Sequence, residues 1–158
     1  MNNKNPLTVA GFLLGVGLGG FFDGILFHQI LQVHNMVSNI YFPNTLVNVE
    51  INMFWDGMFH AFTWLVTLLG IFFLWKGLNN SGERKNGSYF IGLLLLGWGV
   101  FNIVEGIIDH SILQLHHVIQ RVSSTEQMYS DIVFLISGLF LCLFGFLLCY
   151  RYKDNPSI

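Results

Sequence analysis

The residues in this chain that could do chemistry are acids and histidines set inside otherwise apolar sequence. Asp23 to Asn35 reads DGILFHQILQVHN, and Glu105 to His117, 82 positions later, reads EGIIDHSILQLHH. Gly24, Ile25, His28, Ile30, Leu31, Gln32 and His34 recur as Gly106, Ile107, His110, Ile112, Leu113, Gln114 and His116. Asp56 and His60 add an i, i+4 pair, and Asp131 stands alone. Imidazoles and carboxylates at such spacing suit zinc, iron, manganese or copper(II), and do not suit copper(I) or an iron–sulfur cluster. In hydrocarbon each carboxylate must be protonated, paired with a histidine or bound to a cation. No Lys or Arg lies within residues 7–75 or 89–118 to neutralise them. Five of the nine acids and all six histidines share the pattern, which favours a cation.

The elements that must position these groups are membrane helices. Hydrophobic residues make up 53% of the 158, charged residues only 10%, and mean hydropathy is +0.58. Apolar runs of about 20 residues suffice to cross a hydrocarbon core of about 30 Å. Four such spans are read: about 7–34, 54–75, 89–118 and 131–150. Residues 35–53 and 119–130 form outer loops, and 78–88 a linker. The runs are too long for strands and lack alternation. Pro6, Pro43 and Pro156 all fall outside the spans, as uninterrupted helices require. The first span continues into the acid–histidine motif, so it reads as a retained anchor and not as a cleaved signal. Cys142 and Cys149, seven apart in one apolar run, read as packing residues. A net charge of −2 gives nucleic acid no purchase.

Basic residues orient the spans. Lys4, Lys76, Arg84, Lys85, Arg151 and Lys153 fall on one side and Arg121 on the other, which predicts cytoplasmic termini and a cytoplasmic linker. The repeat runs beyond the motif. Gly15, Gly17 and Gly24 match Gly97, Gly99 and Gly106 at an offset of 82, while Asp56, Gly70 and Trp75 match Asp131, Gly145 and Tyr150 at 75. The expectation is one all-α domain over 1–158, a four-helix membrane bundle of two parallel hairpin repeats, 7–77 and 89–151. The polar groups then meet in its extracytoplasmic half. Gly11, Gly15 and Gly19 give helix 1 a small-residue face, suited to a close neighbour or to a homodimer. The membrane itself, and a second membrane protein, are the other partners this composition suits.

At about 100° per residue, Asp23 and His34 lie within about 20° of one helical face. Glu105, Asp109 and His116 share the matching face of helix 3, and Asp56 with His60 can reach one ion from helix 2. These seven are the expected metal ligands. His28, Gln32, His110, Gln114, His117 and Asp131 are expected to orient them or to form a second site. Plainer readings compete: Asp56 and Asp131 as helix caps, glutamines bridging helices, a purely hydrogen-bonded polar core, or a proton relay without metal. Two other chemistries fit the groups. One is a metal-dependent hydrolase with Glu105 or Asp109 as general base. The other is a haem protein with His28 and His110 as axial ligands.

The segments FFDGILFHQILQVHNM, FWDGMFHAF and GWGVFNIVEGIIDHSILQLHHV resemble a bacterial integral-membrane family known as domain of unknown function 2243. The resemblance covers nearly the whole chain and implies a four-helix protein of the cytoplasmic membrane. It implies no established activity and brings an association with copper handling and terminal-oxidase assembly, while the expected divalent metal, zinc, copper or iron, rests on the acids and histidines themselves. That family tends to carry His-His where this chain has His34-Asn35, whereas His116-His117 keeps the pair.

Overall fold

The computed structural model describes residues 5–79 and 86–154. Among these it is all helical. Helix α1 spans Pro6–Asp23, α2 Leu46–Leu78, α3 Gly87–Glu105 and α4 Ser124–Asp154. Each start has a side chain that accepts from an otherwise unbonded backbone N–H. Asn5 accepts from Leu7, Thr45 from Asn48 and Asn86 from Tyr89. At α4, Ser123 and Glu126 form a reciprocal capping box. Pro6 occupies the first turn of α1, where its missing N–H costs nothing.

All four helices are long and apolar enough to cross a membrane. The exterior is correspondingly apolar, with Phe62, Leu69, Phe72, Leu139 and Phe146 all exposed. The interior near one end is polar instead, and Asp23, His28, His34, Asp56, Glu105, His110 and His116 are all buried there. This inversion is what a lipid solvent selects.

Helices α1 and α3 cross at the centre. A Cβ on Gly15 would stand 2.1 Å from the Leu94 carbonyl oxygen, and one on Gly97 2.1 Å from that of Phe12. Only glycine lets the two backbones meet so closely. Helix α2 packs on α1 and α4 on α3, while α1 with α4, and α2 with α3, make no extended contact. The helices therefore form a row, α2–α1–α3–α4, open along both sides.

The ends of the spans differ from the sequence reading. Helix α2 begins at Leu46 and α4 at Ser124, because Thr45 and Ser123 supply caps upstream of the apolar runs. Asp56 and Asp131 consequently lie well inside their helices and do not cap them. The first and third spans stop at Ile30 and Ile112, short of His34 and Val118. Of the basic residues used for orientation, Lys4, Arg84 and Lys85 lie outside the described residues, as does most of the linker. Cys142 and Cys149 are free, each thiol near a backbone carbonyl of α3.

Candidate metal centre

Two π-helical turns, Gly24–Ile30 and Gly106–Ile112, carry the site. Leu31 N–H bonds the Leu26 carbonyl and Leu113 N–H that of Ile108, five residues back in each case. Such widened turns are uncommon and recur at functional sites. Gln32 and Gln114 follow with φ of 50° and 49°, left-handed values that side chains other than glycine rarely adopt. There the chain reverses, so His34 and His116 re-enter the interior from a fold-back and not along a continuing helix. The expected sharing of a helical face by Asp23 and His34, and by Glu105 and His116, therefore does not hold. They converge by reversal of the chain.

The two fold-backs clasp each other. His34 Nδ1–H donates to the Val118 carbonyl at 2.8 Å, and His116 Nδ1–H to that of Met36 at 3.0 Å. Asn39 N–H bonds the Leu115 carbonyl and Gln120 N–H that of Val33, both at 2.9 Å. His28 Nδ1 donates to Asp56 Oδ1 at 2.8 Å. A carbonyl or carboxylate oxygen only accepts, so these bonds put a proton on Nδ1, and in the neutral ring they leave a lone pair on Nε2.

All those Nε2 atoms face one interior space. His28 Nε2 lies 3.1 Å from Asp23 Oδ2, and His34 Nε2 lies 3.8 Å from the same oxygen. His116 Nε2 is 3.1 Å from His110 Nε2 and 4.0 Å from Glu105 Oε1. His28, His34 and His116 present ligand atoms mutually within 4.8 Å, and so do Glu105, His110 and His116. Two nitrogens bound tetrahedrally to a zinc-like ion at about 2.05 Å stand about 3.3 Å apart, so a 3.1 Å contact suits a shared cation. Asp23 Oδ2, both Glu105 oxygens and the Nε2 atoms of His28 and His34 are buried with no hydrogen-bond partner.

The expected ligands divide. Asp23, His34, Glu105 and His116 come together, and His28 and His110, expected to stand behind them, join the same space. Asp56 stands behind: its carboxylate accepts from His28, from Asn35 Nδ2 at 2.8 Å and from Met36 N–H at 2.7 Å. His60 turns away, its Nδ1 donating to the Asp56 carbonyl at 2.7 Å. Asp109 is half-buried outside both triads and lines a groove that also reaches Glu105. Gln32 and Gln114 are exposed turn residues. His117 and Val118 bind Asp131, through Nδ1 at 2.6 Å and N–H at 2.9 Å. Sequence reasoning missed Asn35, Met36 and Val118. Met36 and Val118 act through backbone atoms, and only their shared offset of 82 hinted at a role.

A family model described as predicted membrane protein (DUF2243) matches residues 10–152. The chain belongs to this family. No curated protein and no solved structure matches it. Membership in DUF2243 accounts for the membrane helices and carries no activity, so a function for this DUF2243 chain has to be argued from the site.

Proposed function

We propose that the chain is a metal-binding membrane protein whose centre is built from His28, His34, His110, His116, Asp23 and Glu105. The observation that carries this reading is the set of buried imidazole lone pairs and unpartnered carboxylate oxygens facing one space with no basic side chain among them. A divalent cation satisfies all of them at once, whereas bare carboxylates at that depth are costly. The hydrogen bonds on Nδ1 are what ligating histidines make to hold the correct tautomer. Nitrogen and oxygen donors without thiolate suit zinc, iron or copper(II). With the termini cytoplasmic, as the basic residues argue, the centre lies in the outer half of a bacterial cytoplasmic membrane. That position suits metal acquisition or delivery to a membrane partner.

A haem axially bound by His28 and His110 fits less well. The His34 ring centroid lies 4.4 Å from that of His28, and the His116 centroid 4.7 Å from that of His110, in the space a macrocycle would need.

Elemental analysis of purified full-length protein tests the proposal. About one or two equivalents of a first-row metal are expected, lost on substitution His34→Ala with His116→Ala. Protein that is folded, metal-free and unable to take up zinc, iron or copper overturns it.

A further inference from the structure

Between α1 and α4, whose backbones stay apart, lies a groove of about 580 Å³. Between α2 and α3, whose backbones stay apart and which meet through the Phe59 and Phe101 rings, lies a second of about 400 Å³. Phe22, Asp23, Phe27, Val118, Val133 and Phe134 line the first. Val104, Glu105, Asp109, Met36, Met58 and Phe59, their counterparts at offsets of 82 or 75, line the second. Each is mostly apolar and reaches a buried carboxylate of the metal centre, Asp23 in one and Glu105 in the other. Both volumes fall in the range of small-molecule sites, about 300–1,000 Å³.

Resting on the metal reading, we propose that these twin grooves are lateral entrances through which a lipid-dissolved molecule with one hydrocarbon chain brings an oxygen-donor head group to the metal. Three observations favour that occupant. The mouths open at exposed apolar side chains, Val133 and Met58, on helices that face lipid. The walls are hydrocarbon and aromatic, suited to a chain and hostile to a hydrated ion. Behind the inner ends lie polar, unpartnered groups, the buried Asp23 Oδ2 and both Glu105 oxygens, which lack hydrogen bonds. An apolar chain with a ligating head matches that gradient along its whole length. The first groove adds Asn102, Glu126, Ser130 and Ser137 as polar groups, so the two entrances are alike in course and unequal in lining.

The test uses full-length protein in lipid nanodiscs, loaded with cobalt(II) and titrated with alkyl hydroxamates of two, eight and twelve carbons while the cobalt visible bands are followed. Each methylene fully buried in a groove favours binding about fourfold, so burial of even two of the six added methylenes should make the eight-carbon probe bind at least about tenfold more tightly than the two-carbon one. The double variant Val133→Trp/Met58→Trp plugs both mouths. It should keep its cobalt, its elution volume and its affinity for the two-carbon probe, and lose the chain-length gain. A gain the double variant retains reflects partition into the bilayer and overturns the proposal, as does no gain at all. Protein that takes up no cobalt overturns the metal reading beneath it, and a variant that loses its cobalt is replaced by Val133→Phe/Met58→Phe, read the same way.

Discussion

Asp56 and Asp131 hold equivalent places in the two halves, and their surroundings differ by one side chain. Asp56 accepts from Asn35 Nδ2, from Met36 N–H and from His28 Nδ1 at 2.8 Å. Asp131 accepts from Val118 N–H and from His117, which stands where the first half has Asn35. The His117 imidazole takes Asp131 Oδ2 at 2.6 Å, while His110 Nδ1 is left 3.5 Å from Oδ1 with no hydrogen bond. The second oxygen of the carboxylate is taken in both halves, by Asn35 Nδ2 at 2.8 Å on Asp56 and by the His117 ring at the shorter 2.6 Å on Asp131. The first half holds His28 through Nδ1 on Asp56, whereas in the second His110 makes its hydrogen bond through Nε2, to His116 Nε2 at 3.1 Å.

The comparison breaks most sharply at His34 and His116. They are counterparts, yet His116 belongs to both ligand triads and His34 to one. Substitution His116→Ala should lower metal affinity by about a thousandfold or more, and His34→Ala by clearly less, measured by competition with a chromophoric chelator. Equal losses would mean that the halves contribute symmetrically.

Next come the carboxylates behind the ligands, whose removal typically costs about 10–100-fold in affinity. Asp56→Asn should reach that range because it holds His28 directly, whereas Asp131→Asn should cost only a few-fold. Equal effects in the same chelator competition would contradict the inequality read from 2.8 Å against 3.5 Å. A smaller change should come from His117→Asn, which gives the second half the first half's chemistry. With the His117 imidazole gone, His110 Nδ1 can close on Asp131. Nitrogen NMR of labelled histidines should show His110 settling into the Nδ1–H tautomer, with affinity raised about two- to fivefold.

Much of this arrangement was legible because it is written twice. The offset of 82 flagged Asp23, His28, His34 and their counterparts, and the apolar runs marked four spans. Assigning roles failed where helical arithmetic was carried through residues that do not form an α-helix. About 100° per residue assumes 3.6 residues per turn, and the turns after Asp23 and Glu105 are wider than that. Gln32 and Gln114 then reverse the chain, and nothing in a glutamine announces a left-handed backbone. The reversal carried His34 and His116 inward by a route that periodicity does not describe. It also let backbone atoms of Met36 and Val118, which no side-chain motif can reveal, support the site.

The smallest effect is expected at His60, and it decides whether the i, i+4 spacing with Asp56 means ligation. Its counterpart at an offset of 75 is Leu135, an apolar residue. The two do the same packing work: a Cβ on Gly24 would stand 2.7 Å from His60 Nε2, and one on Gly106 2.7 Å from Leu135 Cδ2. Each side chain fills the hollow that a glycine of the π-helical turn leaves. His60 Nδ1 is already bonded to its own helix, and its ring lies against Phe21. Leucine at position 60 is therefore the second half's own solution. His60→Leu should leave metal content unchanged and shift stability by less than about 1.5 kcal/mol, as volume-matched swaps do. Should that variant lose its metal, the ring of His60 must rotate into the centre when an ion binds, and the two halves would differ in ligand number.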